Sequence, residues 1–241
     1  MKVDFKNQTV LVTGATRGIG RQIAEDMFHA GANIIATGTS DLSLSQLNDG
    51  FEKYPVDFLD SQSVDNFISF LSNKKIDVCI NNAGINKIAS IGDVQQEDWD
   101  AIIKVNLTTP FRIIKTISNT MKRHNYGRIV NISSIWGTIS KEYRASYSSS
   151  KFGLVGLSLS AAAELAKYDV LVNTVSPGFT LTDLTREVLG ETEMVKIAKT
   201  IPIGRMATPS DISKVVMFMA SNQNNYISGQ NIVVDGGFTN V

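Results

Sequence analysis

A tyrosine and a lysine stand four residues apart at Tyr147 and Lys151, and a serine, Ser134, precedes the tyrosine by thirteen positions. Residues four apart on a helix share one face. A free phenol has a pKa of about 10 and is a poor acid–base group near neutrality. An ammonium beside it favours the phenolate, so Lys151 is expected to draw Tyr147 toward the working range. A serine hydroxyl at the same place can hydrogen-bond an oxygen on which charge develops. These residue types suit proton transfer to or from a substrate oxygen. Taken alone, the spacing also fits an amphipathic helix start with a snorkelling lysine.

A second cluster makes the chemical reading the stronger one. Thr13 to Gly20 reads TGATRGIG, with Gly14, Gly18 and Gly20 where a strand would turn into a helix. Glycine permits a sharp turn and close approach of backbone to a pyrophosphate. The helix N-terminus then offers unpaired N–H donors and partial positive charge. The spacing is G-x-x-x-G-x-G, not the common G-x-G-x-x-G. Arg17, inside the turn, is placed to meet a phosphate with a charge-assisted fork.

These groups need a scaffold, and the chain alternates short β-branched runs with helical patterns. Strands are predicted at Thr9–Thr13, Asn33–Ala36, Tyr54–Asp57 (the end of a strand), Asp77–Ile80, Arg128–Ile132, Leu171–Val175 and Asn231–Val234. Helices are predicted at Gly18–Ala30, around Ser43–Leu47, from an Ser61 N-cap to Leu71, from Gln96 to Arg123 with a kink at Pro110, over Tyr147–Lys167, and over Ser210–Ala220 with Pro209 in its first turn. Runs of strands apolar on both sides, separated by helices, imply a parallel sheet covered on both faces. Ligands then gather at the carboxyl ends of the strands. The expected fold is α/β: a Rossmann-type, three-layer, doubly wound parallel sheet of about seven strands, in one domain spanning 1–241. Residues 181–206 are less regular and bounded by prolines, and are a candidate substrate lid.

The 241 residues are 43% hydrophobic and 19% charged, enough apolar material for a sizeable core. Lys+Arg and Asp+Glu are both 23, so no basic excess points to nucleic acid. Cys79, the single cysteine, lies in an apolar run and reads as a buried core thiol. His29 and His124 lack metal-ligand spacing, and no metal is expected. The first residues show no apolar leader and no stretch is long enough for a bilayer, so a cytoplasmic protein without membrane contact is expected.

TGATRGIG, the run Asn81-Asn82-Ala83-Gly84, Ser134, Tyr147-x-x-x-Lys151 and Pro177-Gly178 together resemble the short-chain dehydrogenases/reductases, in that family's order and spacing over nearly the whole chain. The overall pattern is closest to the 3-oxoacyl-(acyl-carrier-protein) reductase branch of fatty-acid biosynthesis. The resemblance implies a nicotinamide cofactor held by Gly14, Thr16, Arg17, Gly18, Ile19, Gly20, Thr39, Asp57, Phe58, Asn82, Ala83, Gly84, Tyr147, Lys151, Pro177, Gly178 and Thr180. Thr39 would touch the 2′-phosphate side, Asp57 and Phe58 would flank the adenine, and Asn82 would line the adenosine ribose. Lys151 would hold the nicotinamide ribose and Thr180 the carboxamide. The second strand has no carboxylate before Asp41 to accept from a ribose 2′-hydroxyl; with Arg17 this favours NADP(H).

The resemblance also implies catalysis by Asn106, Ser134, Tyr147 and Lys151, with the side chain or backbone of Asn106 holding a water beside Lys151. The asparagines of the Asn81–Gly84 run read instead as ties between strands. Substrate contacts are expected at Ser134, Trp136, Tyr143 and Tyr147, with Ile135 and Phe179 as further walls. Reductases of carrier-bound acyl chains often dock the carrier with two arginines, and the matching places hold Asn125 and Tyr168, with Arg123, His124 and Lys167 nearby. The expected partner is an acyl thioester or other small carbonyl or sugar, an acyl carrier protein remaining open. A homotetramer through the two long helices is also implied. A cofactor-binding module without turnover is the alternative from another class, and it would tolerate loss of one of the four catalytic types, all present here.

Overall fold

The computed structural model describes residues 3–241 (within 183–189, the backbone and the Thr185 side chain). Its strands are β1 (Thr9–Val12), β2 (Asn33–Gly38), β3 (Glu52–Pro55), β4 (Val78–Asn81), β5 (Gly127–Ile132), β6 (Val170–Pro177) and β7 (Asn231–Val234). The helices are α1 (Gly18–His29), α2 (Asp41–Ser45), α3 (Ser61–Ser72), α4 (Gln96–Ile103), α5 (Thr109–His124), α6 (Ala145–Leu165), α7 (Asp183–Thr200) and α8 (Pro209–Ala220). All seven strands form one parallel sheet in the order β3-β2-β1-β4-β5-β6-β7.

Period-two alternation divides each central strand between two cores. Val10 and Val12 of β1, Ile80 of β4 and Val130 of β5 face Ile23, Met27, Ile212 and Val216 of α1 and α8. Leu11, Cys79 and Ile129, the intervening residues, face Phe67, Ile113, Ile117 and Leu165 of α3, α5 and α6. Both faces are therefore apolar and covered, as a three-layer α/β sandwich requires. Cys79 is buried in the second core, where desolvation pushes its thiol far above the ordinary range.

The chain winds outward from β1 to β3, returns to β4, and winds outward the other way. A crevice opens at that switch, beyond the carboxyl ends of β1 and β4. There the Thr13 hydroxyl accepts from the N–H groups of Asn82 (3.0 Å) and Ala83 (3.1 Å). Further along, Asn81 Nδ2 donates to Asn131 Oδ1 and Asn131 Nδ2 to Ser158 Oγ, each at 2.8 Å. Asparagine thus ties β4, β5 and α6 inside the core, as the sequence suggests.

Several helix bounds differ from expectation, α2 and α6 each starting two residues early, and α7 forms within the segment read as less regular. The N-cap of α3 is Asp60, whose carboxylate accepts from Gln62 N–H, and Ser61 is already helical. The long helix is divided by a π-helical turn at Lys104–Thr108, not by Pro110 alone; Pro110 sits in the first turn of α5, where its missing N–H is tolerated. In α8, Thr208 and Asp211 form a capping box with Pro209 at the first helical position. Among the described residues, no helix is long and apolar enough to cross a membrane.

Candidate active site

The glycine turn is shaped by its own neighbours. Gly14 has φ 64°, and a Cβ there would lie 2.9 Å from Ala83 Cα. A Cβ on Gly20 would lie 2.3 Å from the Gly14 carbonyl oxygen. Asn82 Nδ2 donates to the carbonyls of Thr13 and Gly14, both at 3.0 Å. The Asn82 amide nitrogen therefore fastens the turn. Gly178 admits Asp235, whose Cβ would be 2.7 Å from an added methyl. The Phe58 ring is buried in the core against Phe67, 6.0 Å between centroids, so its backbone is the part that faces out beyond β3. Asp57 accepts from Leu59 N–H and sits at the surface beyond β3.

What this turn leaves open fits a dinucleotide. Arg17, the N-cap of α1, makes no side-chain cap bond, and the first turn of α1 holds no acidic residue. The N–H donors and positive end of the helix are thus unopposed, which suits a pyrophosphate. Thr16 packs beside Gly38 at the end of β2, and Thr39 and Arg17 are both exposed. Thr180 is buried, its hydroxyl bonded to the Gly178 carbonyl at 3.1 Å.

Tyr147 and Lys151 occupy the first turns of α6, and Ser134 caps a short 3₁₀ turn (Ile135–Gly137) beyond β5. The Ser134 hydroxyl accepts from Trp136 N–H at 3.2 Å, so its proton remains to donate. Lys151 is buried, and its Nζ donates to the Ile132 carbonyl at 2.8 Å while lying 5.6 Å from the Tyr147 ring centroid. A Cβ on Gly84 would come within 3.5 Å of Lys151 Nζ and 3.4 Å of Asn106 Oδ1, so the glycine keeps that corner clear.

Asn106 sits in the π turn with its side chain fully engaged. Nδ2 donates to the Ile85 carbonyl (2.9 Å) and to Ser150 Oγ (3.0 Å), and Oδ1 accepts from Ile85 N–H (2.9 Å). Of the two expected ways to hold a water, side chain or backbone, the side chain is taken up in clamping the loop after β4 to α6, which leaves the backbone.

The electrostatics also correct one expectation. Burial pushes the Tyr147 phenol above its ordinary value, while the Ser134 hydroxyl and the Arg144 guanidinium pull it back in part. The groups that draw it down are Ser134 and Arg144 and not Lys151, whose own amine burial pushes down to about 8. In the protein alone, Tyr147 is a protonated phenol near neutrality.

Trp136 is buried, packed edge-on against Phe179 at 6.2 Å, with Lys141 Nζ and Arg144 Cζ 5.5 and 5.8 Å from its ring centroid. Ile135 is buried, whereas Tyr143 is 54% exposed. The 181–206 segment starts against the glycine turn: Thr182 caps α7, and its Cγ2 would lie 3.2 Å from a Cβ on Gly18. A bridge between Thr180 and Ala207 closes its base, and α7 breaks at Gly190 (φ 67°). Most side chains of 183–189 lie outside the described residues. Sequence reasoning missed Thr13, Ser150 and Arg144. Thr13 and Ser150 adjoin the motifs, and Arg144 is marked by being a cation at a helix start.

Fold and crevice define a dinucleotide-dependent oxidoreductase. Residues 14–239 match the family model described as enoyl-(acyl carrier protein) reductase. The 3-oxoacyl-[acyl-carrier-protein] reductase FabG of Aquifex aeolicus is 38% identical, over 98% of this chain and 99% of that one. FabG of Escherichia coli (strain K12) is 34% identical over 98% of each. A proposed NAD(P)-dependent gluconate 5-dehydrogenase of Beutenbergia cavernae, with NADP bound at low occupancy, superposes with a TM-score of 0.94 at 32% identity over 100% of both chains. A proposed gluconate dehydrogenase of Agrobacterium tumefaciens gives 0.93 at 29% identity, covering 100% of this chain and 99% of that one. The chain belongs to the short-chain dehydrogenase/reductase superfamily and strongly resembles its FabG-like branch.

The buried amine has a measurable signature. Between pH 8 and 10.5 the native state holds fewer protons at Lys151 than the unfolded chain, so stability climbs with pH across that window. Below it, the buried charge costs about 3 kcal/mol. Urea unfolding of wild type and K151M is expected to show wild type gaining about that amount relative to the variant between pH 8 and 10.5. Parallel pH profiles would contradict the buried, depressed amine.

Proposed function

We propose that the protein reduces a ketone to a secondary alcohol with NADPH, Tyr147 donating the proton to the carbonyl oxygen. The observation that carries this reading is the protonated, buried Tyr147 beside a Ser134 hydroxyl with its proton to donate and the Lys151 amine. Bound NADPH supplies the hydride. Ser134 and Tyr147 hold the oxygen where negative charge develops. Lys151 keeps donors beyond its bond to Ile132 for the ribose hydroxyls, and its charge strengthens as a proton leaves Tyr147. Protons return past Lys151 and the Asn106 backbone; Pro110, four residues on, has no N–H to donate to that carbonyl. Arg17 and Thr39 meet the 2′-phosphate, and residues 181–206 close over the substrate.

Among ketones, 3-oxoacyl thioesters come first, because the curated relatives carry that activity in their names. A small carbonyl acid or sugar is the second reading. It is favoured by Asn125, a left-handed C-cap at φ 48°, and Tyr168, covered by Lys167, at the two places where carrier-docking arginines are expected. We also propose a homotetramer through the faces of α5 and α6 that leave Phe111, Phe152 and Leu159 about half exposed. Light scattering is expected to give four times the 26.3 kDa chain mass, and a monomer would contradict it.

NADPH oxidation against acyl-carrier-linked thioesters, CoA thioesters and small ketones tests the reaction. Y147F is expected to lower kcat by about 10²–10⁴ while NADPH affinity stays within about twofold. R17A is expected to cost about tenfold in kcat/KM with NADPH and little with NADH. Equal use of both cofactors by wild type would contradict the role of Arg17.

A further inference from the structure

Arg144 precedes Tyr147 by three residues, at the N-cap of α6, and the reaction above makes no use of it. It is half-buried, and its Nε is enclosed without a hydrogen-bond partner. Among the described residues no carboxylate pairs with the guanidinium; the titratable group it feels is Tyr147. Buried donors are nearly always satisfied, so an enclosed, unbonded one asks for a partner the protein does not itself supply.

The location is unfavourable for a cation. The N-terminus of a 21-residue helix carries partial positive charge, and the first turn of α6 has no acidic residue to offset it. Helix starts favour Ser, Thr, Asp and Asn. Tyr143, just before, holds a left-handed φ of 66°, which costs a bulky residue about 1–3 kcal/mol. Guanidinium is held there by the Trp136 ring, which Lys141 also approaches, giving two cations on one indole braced by Phe179. An anion arriving at this spot would meet both cations and the helix end together.

We infer that Arg144, backed by Lys141, receives a carboxylate of the substrate, so that the ketone reduced at Tyr147 belongs to a small keto acid. The planar fork of a guanidinium seated on an indole matches the planar carboxylate. Arg144 stands just before the helix, three residues from Tyr147 and close enough for the two groups to act on each other electrostatically, which sets the carboxylate a few carbons from the carbonyl at Tyr147. The inference rests on the reductase reading and, within it, selects the small carbonyl acid over the 3-oxoacyl thioester as the substrate class. The competing role for Arg144 is tuning the phenol through its charge, which would act on every ketone alike.

Acetoacetate and 4-oxopentanoate, with their methyl esters, separate these roles. Wild type is expected to show kcat/KM at least about tenfold higher for each acid than for its ester. At neutral pH, where Tyr147 keeps its proton with or without Arg144, R144Q is expected to lower the acids by about 10–100-fold through KM and leave the esters within about twofold; R144K should retain part of the preference. Calorimetry with 4-oxopentanoate and its ester in the presence of NADP⁺, where no turnover occurs, should show the same preference and its loss in R144Q. Turnover without acid preference, or an equal loss for acids and esters in R144Q, overturns the inference alone. Arg144-dependent binding of the acid without any turnover overturns the reductase reading alone, and neither binding nor turnover overturns both.

Discussion

The bond from Lys151 Nζ to the Ile132 carbonyl, 2.8 Å inside the protein, joins α6 to the end of β5. It sets the first turns of α6 against the strand whose following residues carry Ser134. An amine in that position loses water on every side, and its proton affinity falls accordingly. The same burial raises the affinity of the Tyr147 phenol. A phenol that keeps its proton beside an amine that loses one easily is a pair whose opposed shifts suit acid–base work. The cost is borne by the fold, in a buried cation and a left-handed Tyr143.

Around this bond the scaffold is a set of polar ties across the switch point of the sheet. Thr13 and Asn82 fix the glycine turn to the end of β4. Asn106 fixes the loop after β4 to Ser150, which in turn bonds the Tyr147 carbonyl at 2.7 Å. Asn81 and Asn131 carry the same tie through the core to Ser158. Each buried asparagine satisfies its donors on a neighbouring element, so the cofactor crevice and the tyrosine helix are held in one register.

The doubly wound sheet was legible because valine and isoleucine runs mark its central strands and alternate between two cores. The glycine turn was legible as a turn, but the reason for each glycine was not. Gly14 is required by Ala83, and Gly20 by Asn82 as well as by the Gly14 carbonyl; the contacts with Ala83 and Asn82 span more than sixty residues, which no local pattern encodes. Pro110 marked a break in the long helix, while the π turn at Lys104–Thr108 depends on packing around Asn106. Phe58 looked available beside an adenine, and its ring went to the core, where it packs against Phe67 nearly two turns into α3. The tyrosine–lysine spacing placed the pair correctly on one helix; it could not report burial, which reverses the expected direction of tuning. Arg144 was legible in principle, as a cation where a helix start favours an acceptor.

The most direct measurement is ¹³C NMR of the protein labelled at tyrosine Cζ, titrated without dinucleotide and with Y147F to assign the signal. The account predicts that the Tyr147 resonance stays that of a neutral phenol through pH 10, where exposed tyrosines ionise. A phenolate forming near neutrality in the protein alone would contradict it.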